Sequence, residues 1–291
     1  MNKTRIGWAD LSSNPVYATD SETGKRGWMC EMVSRGCHNC YAQALNLRYG
    51  NGLPFTHLSR HYVKIHLDEK ELREWAKPKY AGKKVFVCDM TDLFGDWVAH
   101  DWLDKIFAAM ALAPAVTFQV LTKRPERMRD YLSYAFTREH ITQEAFGVRN
   151  EALIPWPLPN VWLGISAEDQ EQADKRIPVL LKTPAAVRFV SYEPALEAVD
   201  LRWQWFKPRP NGYWGRMLEI EVYGAKSGID WIICGAESGP QRRPFDNEWA
   251  RSAMRQCREA GVACYLKQSS GRFSETPFGD AELDACKEFP R

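Results

Sequence analysis

Long apolar runs are missing from this chain, and so is any strong charge of one sign. No stretch of the 291 residues approaches the roughly 20 consecutive apolar positions that a membrane-spanning helix needs, so no membrane partner is expected. The formal net charge is +2, too small by itself to announce a nucleic-acid binder and no bar to one. The first residues, Met1 to Pro15, contain no apolar segment of the kind a secretory leader carries, which predicts a cytoplasmic protein with reduced cysteines. There is no internal repeat and no low-complexity tract. Also lacking is a fourth cysteine beside the three that cluster at Cys30, Cys37 and Cys40. The other five, Cys88, Cys234, Cys257, Cys264 and Cys286, lie singly in apolar or tail segments, where cysteine behaves as a small hydrophobe.

Hydrophobic residues make up 45% of the chain, enough for a substantial core, and the 12 tryptophans suit either that core or a stacking surface. Six short runs rich in β-branched and aromatic residues read as strands: Val85–Cys88, Thr117–Leu121, Val161–Ile165, Val187–Val190, Trp231–Cys234 and Ala263–Leu266. Most are apolar throughout, as strands covered on both faces of a parallel sheet are. Helical periodicity separates them over Asp101–Leu112, Glu168–Leu181 and Trp249–Ala260. An earlier strand is expected before Cys30. This alternation predicts an α/β fold of about six or seven βα units, a full or partial (β/α) barrel, with a doubly wound open sheet as the alternative. The length suits one large barrel or two small domains. The reading adopted is a single domain over 1–291, interrupted near 19–29, 134–159 and 201–228.

Polar clusters follow the strands. In a barrel they share the C-terminal rim, where active sites are built. Thr91 and Asp92, Lys123, Ser166 and Glu168, Glu193, Glu237, and Lys267 are therefore the rim candidates. Basic and aromatic residues also alternate from Arg202 to Arg216. Such a segment either stacks bases between phosphate contacts or simply caps the core with Trp203, Trp205, Phe206 and Trp214, and the second reading is preferred.

The three clustered cysteines lie in one loop, and a helix over Tyr41–Tyr49 begins directly after the last. The two-residue gap between Cys37 and Cys40 suits two thiolates on one metal centre. A structural zinc site wants four protein ligands, whereas three thiolates leave one coordination position open for chemistry. Two readings stay open: a [4Fe–4S] cluster, or zinc with His38, His57 or His61 as fourth ligand.

The segment Val33-Ser34-Arg35-Gly36-Cys37-His38-Asn39-Cys40-Tyr41-Ala42 resembles the signature of a phage- and prophage-borne family of three-cysteine-motif radical S-adenosylmethionine proteins, long a domain of unknown function and related to spore photoproduct lyase. The likeness extends through Asn14-Pro15-Val16, Asp92-Leu93-Phe94, Leu121 to Met128, Pro159 to Gly164, Ser191 to Pro194, Gly235 to Pro240 and Leu266-Lys267-Gln268. It implies a radical S-adenosylmethionine barrel whose [4Fe–4S] cluster is held by Cys30, Cys37 and Cys40. The superfamily usually spaces its first two cysteines by three residues, whereas six separate Cys30 from Cys37 here, as in this family's own variant. Reductive cleavage of S-adenosylmethionine would give a 5′-deoxyadenosyl radical that abstracts hydrogen from a substrate, with an electron donor as partner. By rim position Thr91 and Asp92 would meet the methionyl amine, Ser166 and Glu168 the ribose or adenine. Lys123, Glu193, Glu237 and Lys267 remain for substrate and proton handling. The phage setting implies a hypermodified nucleobase in DNA and an isomerase or lyase reaction. The competing expectation is a non-catalytic, zinc- or cluster-stabilised DNA-binding accessory protein.

Overall fold

A computed structural model describes residues 1–206 and 228–290, and the chain packs as two compact units. Unit 1 comprises Met1–Trp162 with Pro184–Ala186, and unit 2 comprises Leu163–Thr183 with Val187–Arg291. Of the insertion at 201–228, residues 207–227, including Trp214, lie outside the described residues.

Unit 1 runs β1 (Asn2–Lys3), β2 (Leu11–Ser13), β3 (Val16–Asp20), β4 (Arg26–Gly27), α1 (Tyr41–Tyr49), β5 (Val63–Leu67), α2 (Glu69–Glu74), β6 (Lys84–Val87), α3 (His100–Ala111), β7 (Thr117–Thr122), α4 (Pro125–Ser133) and α5 (Thr137–Phe146). Its main sheet has the order β1-β2-β6-β7, and β2, β6 and β7 are parallel. The early strand expected before Cys30 is thus β2, only three residues long and too short to stand out by pattern. The interruption near 19–29 is a hairpin, because β3 pairs antiparallel with β4 on one side and with β5 on the other. Trp75 is fully buried, 4.8 Å from Phe118 between ring centroids, and its indole Nε1 donates to Ser13 Oγ at 2.8 Å.

Unit 2 carries β8 (Val161–Ser166), α6 (Gln170–Leu181), β9 (Val187–Tyr192), β10 (Trp231–Cys234), α7 (Asn247–Ala260), β11 (Ala263–Leu266) and α8 (Ala281–Ala285), with strand order β8-β9-β10-β11. β9, β10 and β11 are parallel and in register, with Tyr192, Cys234 and Leu266 abreast. α6 starts two residues later than the periodicity suggests, because the Asp169 side chain caps it by accepting from Gln172 N at 2.9 Å. α7 starts two residues earlier, capped by Asp246, and Gly261 ends it with φ of 67°. Trp231 fills the core between Phe189 and Phe289. Three of the abundant tryptophans, Trp8, Trp75 and Trp231, are therefore core residues.

All six strands read from the sequence are present, and the fold is α/β with mostly parallel strands. Gly164 in β8 is required by packing: a Cβ there would stand 2.4 Å from the Phe189 ring. Gly164→Ala is expected to cost about 1–3 kcal/mol, read as a lowered urea midpoint, because the ring is fixed in a filled core.

Candidate functional site

In unit 1 the chain leaves β6 through Cys88, which takes a left-handed φ of 61° despite its Cβ. That turn places Asp89, Thr91 and Asp92 at the C-terminal end of β6, and Lys123 and Arg124 follow β7 on the same edge of the parallel pair. Asp92 is the hub. Its carboxylate accepts from Thr122 Oγ1 at 2.7 Å, Phe94 N at 3.0 Å, Lys123 N at 3.0 Å and Arg124 Nη1 at 3.1 Å. A buried carboxylate with this many donors fixes the strand ends rigidly.

The cysteine loop is moored to this rim at three places. Thr91 Oγ1 donates to the Met29 carbonyl, just before Cys30. Arg124 Nη2 donates to the Glu31 carbonyl at 3.4 Å, just after it. Tyr41, directly after Cys40, donates its hydroxyl to the Asp89 carbonyl at 2.8 Å. Asn46 secures the base of the loop, accepting from Trp28 N at 2.9 Å and donating to the Leu53 carbonyl at 2.8 Å. Asn46 carries no signal in the sequence beyond its place inside a helix.

Cys30, Cys37 and Cys40 are half-buried, unbridged thiols. Cys30 and Cys40 pack beside the apolar cluster of Ala42, Phe55 and Met90. Burial pushes the Cys30 thiol up to about 12, reinforced by the Asp92 charge and opposed by Arg124. Burial raises Cys40 too, opposed by the Gln43 backbone N–H and the Lys123 charge. Two cations thus face thiols that burial would otherwise keep protonated, an arrangement that favours thiolate once a metal displaces the proton. Trp28 Nε1 and Ser34 Oγ, on the same loop, are buried polar atoms with no hydrogen-bond partner among the described residues. Among the described residues no group of three or more His, Cys, Asp or Glu side chains is arranged to hold a metal ion. What suits an iron–sulfur centre here is the kind of donor and its surroundings: three free thiols, opposing cations, an apolar wall and unpartnered N–H and O–H donors. Of the histidines considered as a fourth ligand, His57 lies 3.4 Å from Glu31 and edge-to-face with His61, and His38 is exposed.

In unit 2 the rim residues form three ion-paired sets. Glu168 is fully buried and accepts from Arg176 Nη1 at 3.0 Å, and the same nitrogen reaches the Ser166 carbonyl at 2.8 Å. Lys267 Nζ stands 3.1 Å from Glu193 Oε1, and Ser191 Oγ donates to Glu193 Oε2 at 3.3 Å. The strand register explains this pair. Glu193, Gly235 and Lys267 each follow one of three abreast residues, so they lie side by side with glycine in the middle. A Cβ on Gly235 would meet Glu193 Oε1 at 2.7 Å and Lys267 Cβ at 3.2 Å, so only glycine lets the outer two meet. Glu237 accepts from Arg243, through its backbone N at 2.8 Å and its guanidinium.

The structure therefore brings Thr91, Asp92 and Lys123 together with the cysteine loop in unit 1, and Glu193 together with Lys267 in unit 2. Trp205 and Phe206 are buried, which matches the capping reading and removes Trp205 as a base-stacking platform. The 134–159 interruption contains a ten-residue helix, α5.

The family described as a protein of unknown function (DUF5131) matches residues 3–284, so this α/β chain belongs to that family. No curated protein and no solved structure matches the chain. Among the described residues no helix is long and apolar enough to cross a membrane.

Proposed function

We propose that the chain is a radical S-adenosylmethionine enzyme acting on a nucleobase, with Cys30, Cys37 and Cys40 holding a [4Fe–4S] cluster. The observation that carries this reading is the mooring of three free thiols to the β6–β7 rim, with Lys123 and Arg124 beside them. Bound there, the cluster and S-adenosylmethionine would supply a 5′-deoxyadenosyl radical able to take a hydrogen atom from a substrate carbon. The α/β repeats are the kind from which a full or partial radical S-adenosylmethionine barrel is built.

The protein's part is position and charge. Asp92 orients Arg124 and the Lys123 backbone, so the cations stay opposite the thiols. Thr91 holds Met29 and with it the approach of the chain to Cys30. Thr91 and Asp92 are proposed to meet the methionyl amine, Ser166 and Glu168 the nucleoside part. Lys123, Glu193, Glu237 and Lys267 are assigned to substrate and proton handling, and the Glu193–Lys267 pair can pass a proton between Nζ and Oε1 over 3.1 Å.

The test is anaerobic reconstitution with iron and sulfide, then incubation with S-adenosylmethionine and dithionite. A brown protein that forms 5′-deoxyadenosine is the expected result. A colourless protein containing stoichiometric zinc would instead support a non-catalytic, zinc-stabilised accessory role. A brown protein that forms no 5′-deoxyadenosine would support the cluster-stabilised one.

A further inference from the structure

Three arginines elsewhere in the chain are engaged within the protein: Arg124 with Asp92, Arg127 with the Gly95 and Val98 carbonyls, and Arg243 with Glu237. A different stretch of unit 1 combines cations with exposed rings, and Arg60 within it also donates to the Asp96 carbonyl at 3.3 Å. From Met32 to Leu67 there is no Asp or Glu, while Arg35, Arg48, Arg60, Lys64 and four histidines fall within it. Among the described residues, 8 of the 15 exposed large hydrophobic side chains lie in this one stretch. Three are tyrosines, Tyr41, Tyr49 and Tyr62, at 48%, 65% and 56% exposure. Tyr41 and Tyr49 are eight residues apart on α1, two turns along the same face, with exposed Leu45 between them.

We propose that the exposed side chains of this stretch around α1 dock single-stranded nucleic acid, with the tyrosine rings stacking on bases and the arginines and Lys64 meeting phosphates. The cations and rings are interleaved: the Arg48 guanidinium lies 4.9 Å from the Tyr49 ring centroid. A protein interface concentrates apolar side chains in a charge-depleted centre, which this interleaving does not provide. A second copy of the chain would place like charges face to face across a two-fold axis. A strand of unpaired bases alternates flat π-faces with negative charge and matches both features, whereas a duplex hides its base faces. The surface adjoins the cysteine loop, since Met32 and Val33 lie between Cys30 and Cys37 and Tyr41 follows Cys40. The inference deepens the nucleobase reading given above and rests on it for its biological sense.

The measurement is fluorescence anisotropy of a fluorescein-labelled oligothymidylate of about 15 nucleotides, within the span such surfaces cover, titrated with the full chain. Four phosphate contacts, each adding about 0.7 to the logarithmic salt slope, predict binding about fiftyfold weaker at 200 than at 50 mM salt. Tyr49→Ala should weaken binding about tenfold, Tyr49→Phe should restore it, and Arg48→Ala should flatten the slope by about 0.7. Circular dichroism melting confirms that each surface variant is folded. Lack of binding at low salt, equal affinity for duplex, or an unaffected Tyr49→Ala would overturn the proposal. So would polyglutamate competing as well as the strand, which would point to an acidic protein. Neither iron nor S-adenosylmethionine is needed for the titration. Loss of DNA binding beside intact 5′-deoxyadenosine formation therefore sinks only the docking surface, and the reverse sinks only the chemistry.

Discussion

Cys37→Ala, purified without oxygen, is expected to lose most of its iron, while Cys257→Ala keeps it. Cys37 is a free thiol in the loop moored by Thr91, Arg124 and Tyr41, so removing it takes away one of three anchoring donors. Losing even an outer partner of a metal ligand typically lowers affinity about 10–100-fold, and losing the ligand itself should exceed that. Cys257 is fully buried on α7 in unit 2, and its truncation should cost only about 1 kcal/mol of stability. The pH dependence has a definite sign. Burial pushes the Cys30 thiol up to about 12 in the metal-free chain, so binding must displace a proton there. Iron uptake by the reduced apoprotein should therefore rise with pH between about 7 and 9. Equal iron in wild type and Cys37→Ala would end the ligand assignment, as would zinc in place of iron after anaerobic preparation.

The legible and illegible parts of this chain divide along physical lines. Most of the six strands announce themselves because they are covered on both faces and nearly continuous in apolar residues, as Trp231-Ile232-Ile233-Cys234 is. β2 hides because three residues cannot show a period, and the β3–β5 pairing hides because it joins segments more than forty residues apart. The cysteine loop is legible by spacing. Its moorings are not, since Thr91 to Met29 and Arg124 to Glu31 are contacts of tertiary structure between ordinary residues. The rim charges are legible as a set but not in their pairing. That Glu193 meets Lys267 across Gly235 follows only from the register of three strands. Exposure is the least legible property of all: Trp205 and Tyr49 both sit among basic residues, and one is buried while the other stands in solvent.

Arg176→Leu is expected to destabilise the protein by about 3–5 kcal/mol, because it strands the Glu168 carboxylate in a dry interior. The Glu168 side chain is fully buried and that of Arg176 is 4% exposed, so neither can recover its hydration by a small movement. Removing both charges should be far less harmful than removing one. An apolar pair of similar volume escapes the desolvation cost that the ion pair must offset. The Ser166 carbonyl, however, also loses its 2.8 Å donor, which should leave Glu168→Leu/Arg176→Leu about 1–3 kcal/mol below wild type. Urea denaturation followed by circular dichroism of the two single variants and the double variant closes the cycle. A double variant as damaged as Arg176→Leu would show that the pair is not what holds this corner of β8 and α6. The same double variant separates fold from ligand contact for Glu168, once its fold is shown to be intact. Calorimetric titration with S-adenosylmethionine should then show weakened binding if the Glu168 carboxylate meets the nucleoside. Unchanged binding would assign Glu168 to the architecture of unit 2 alone, leaving Ser166 as the proposed contact to the nucleoside at the end of β8.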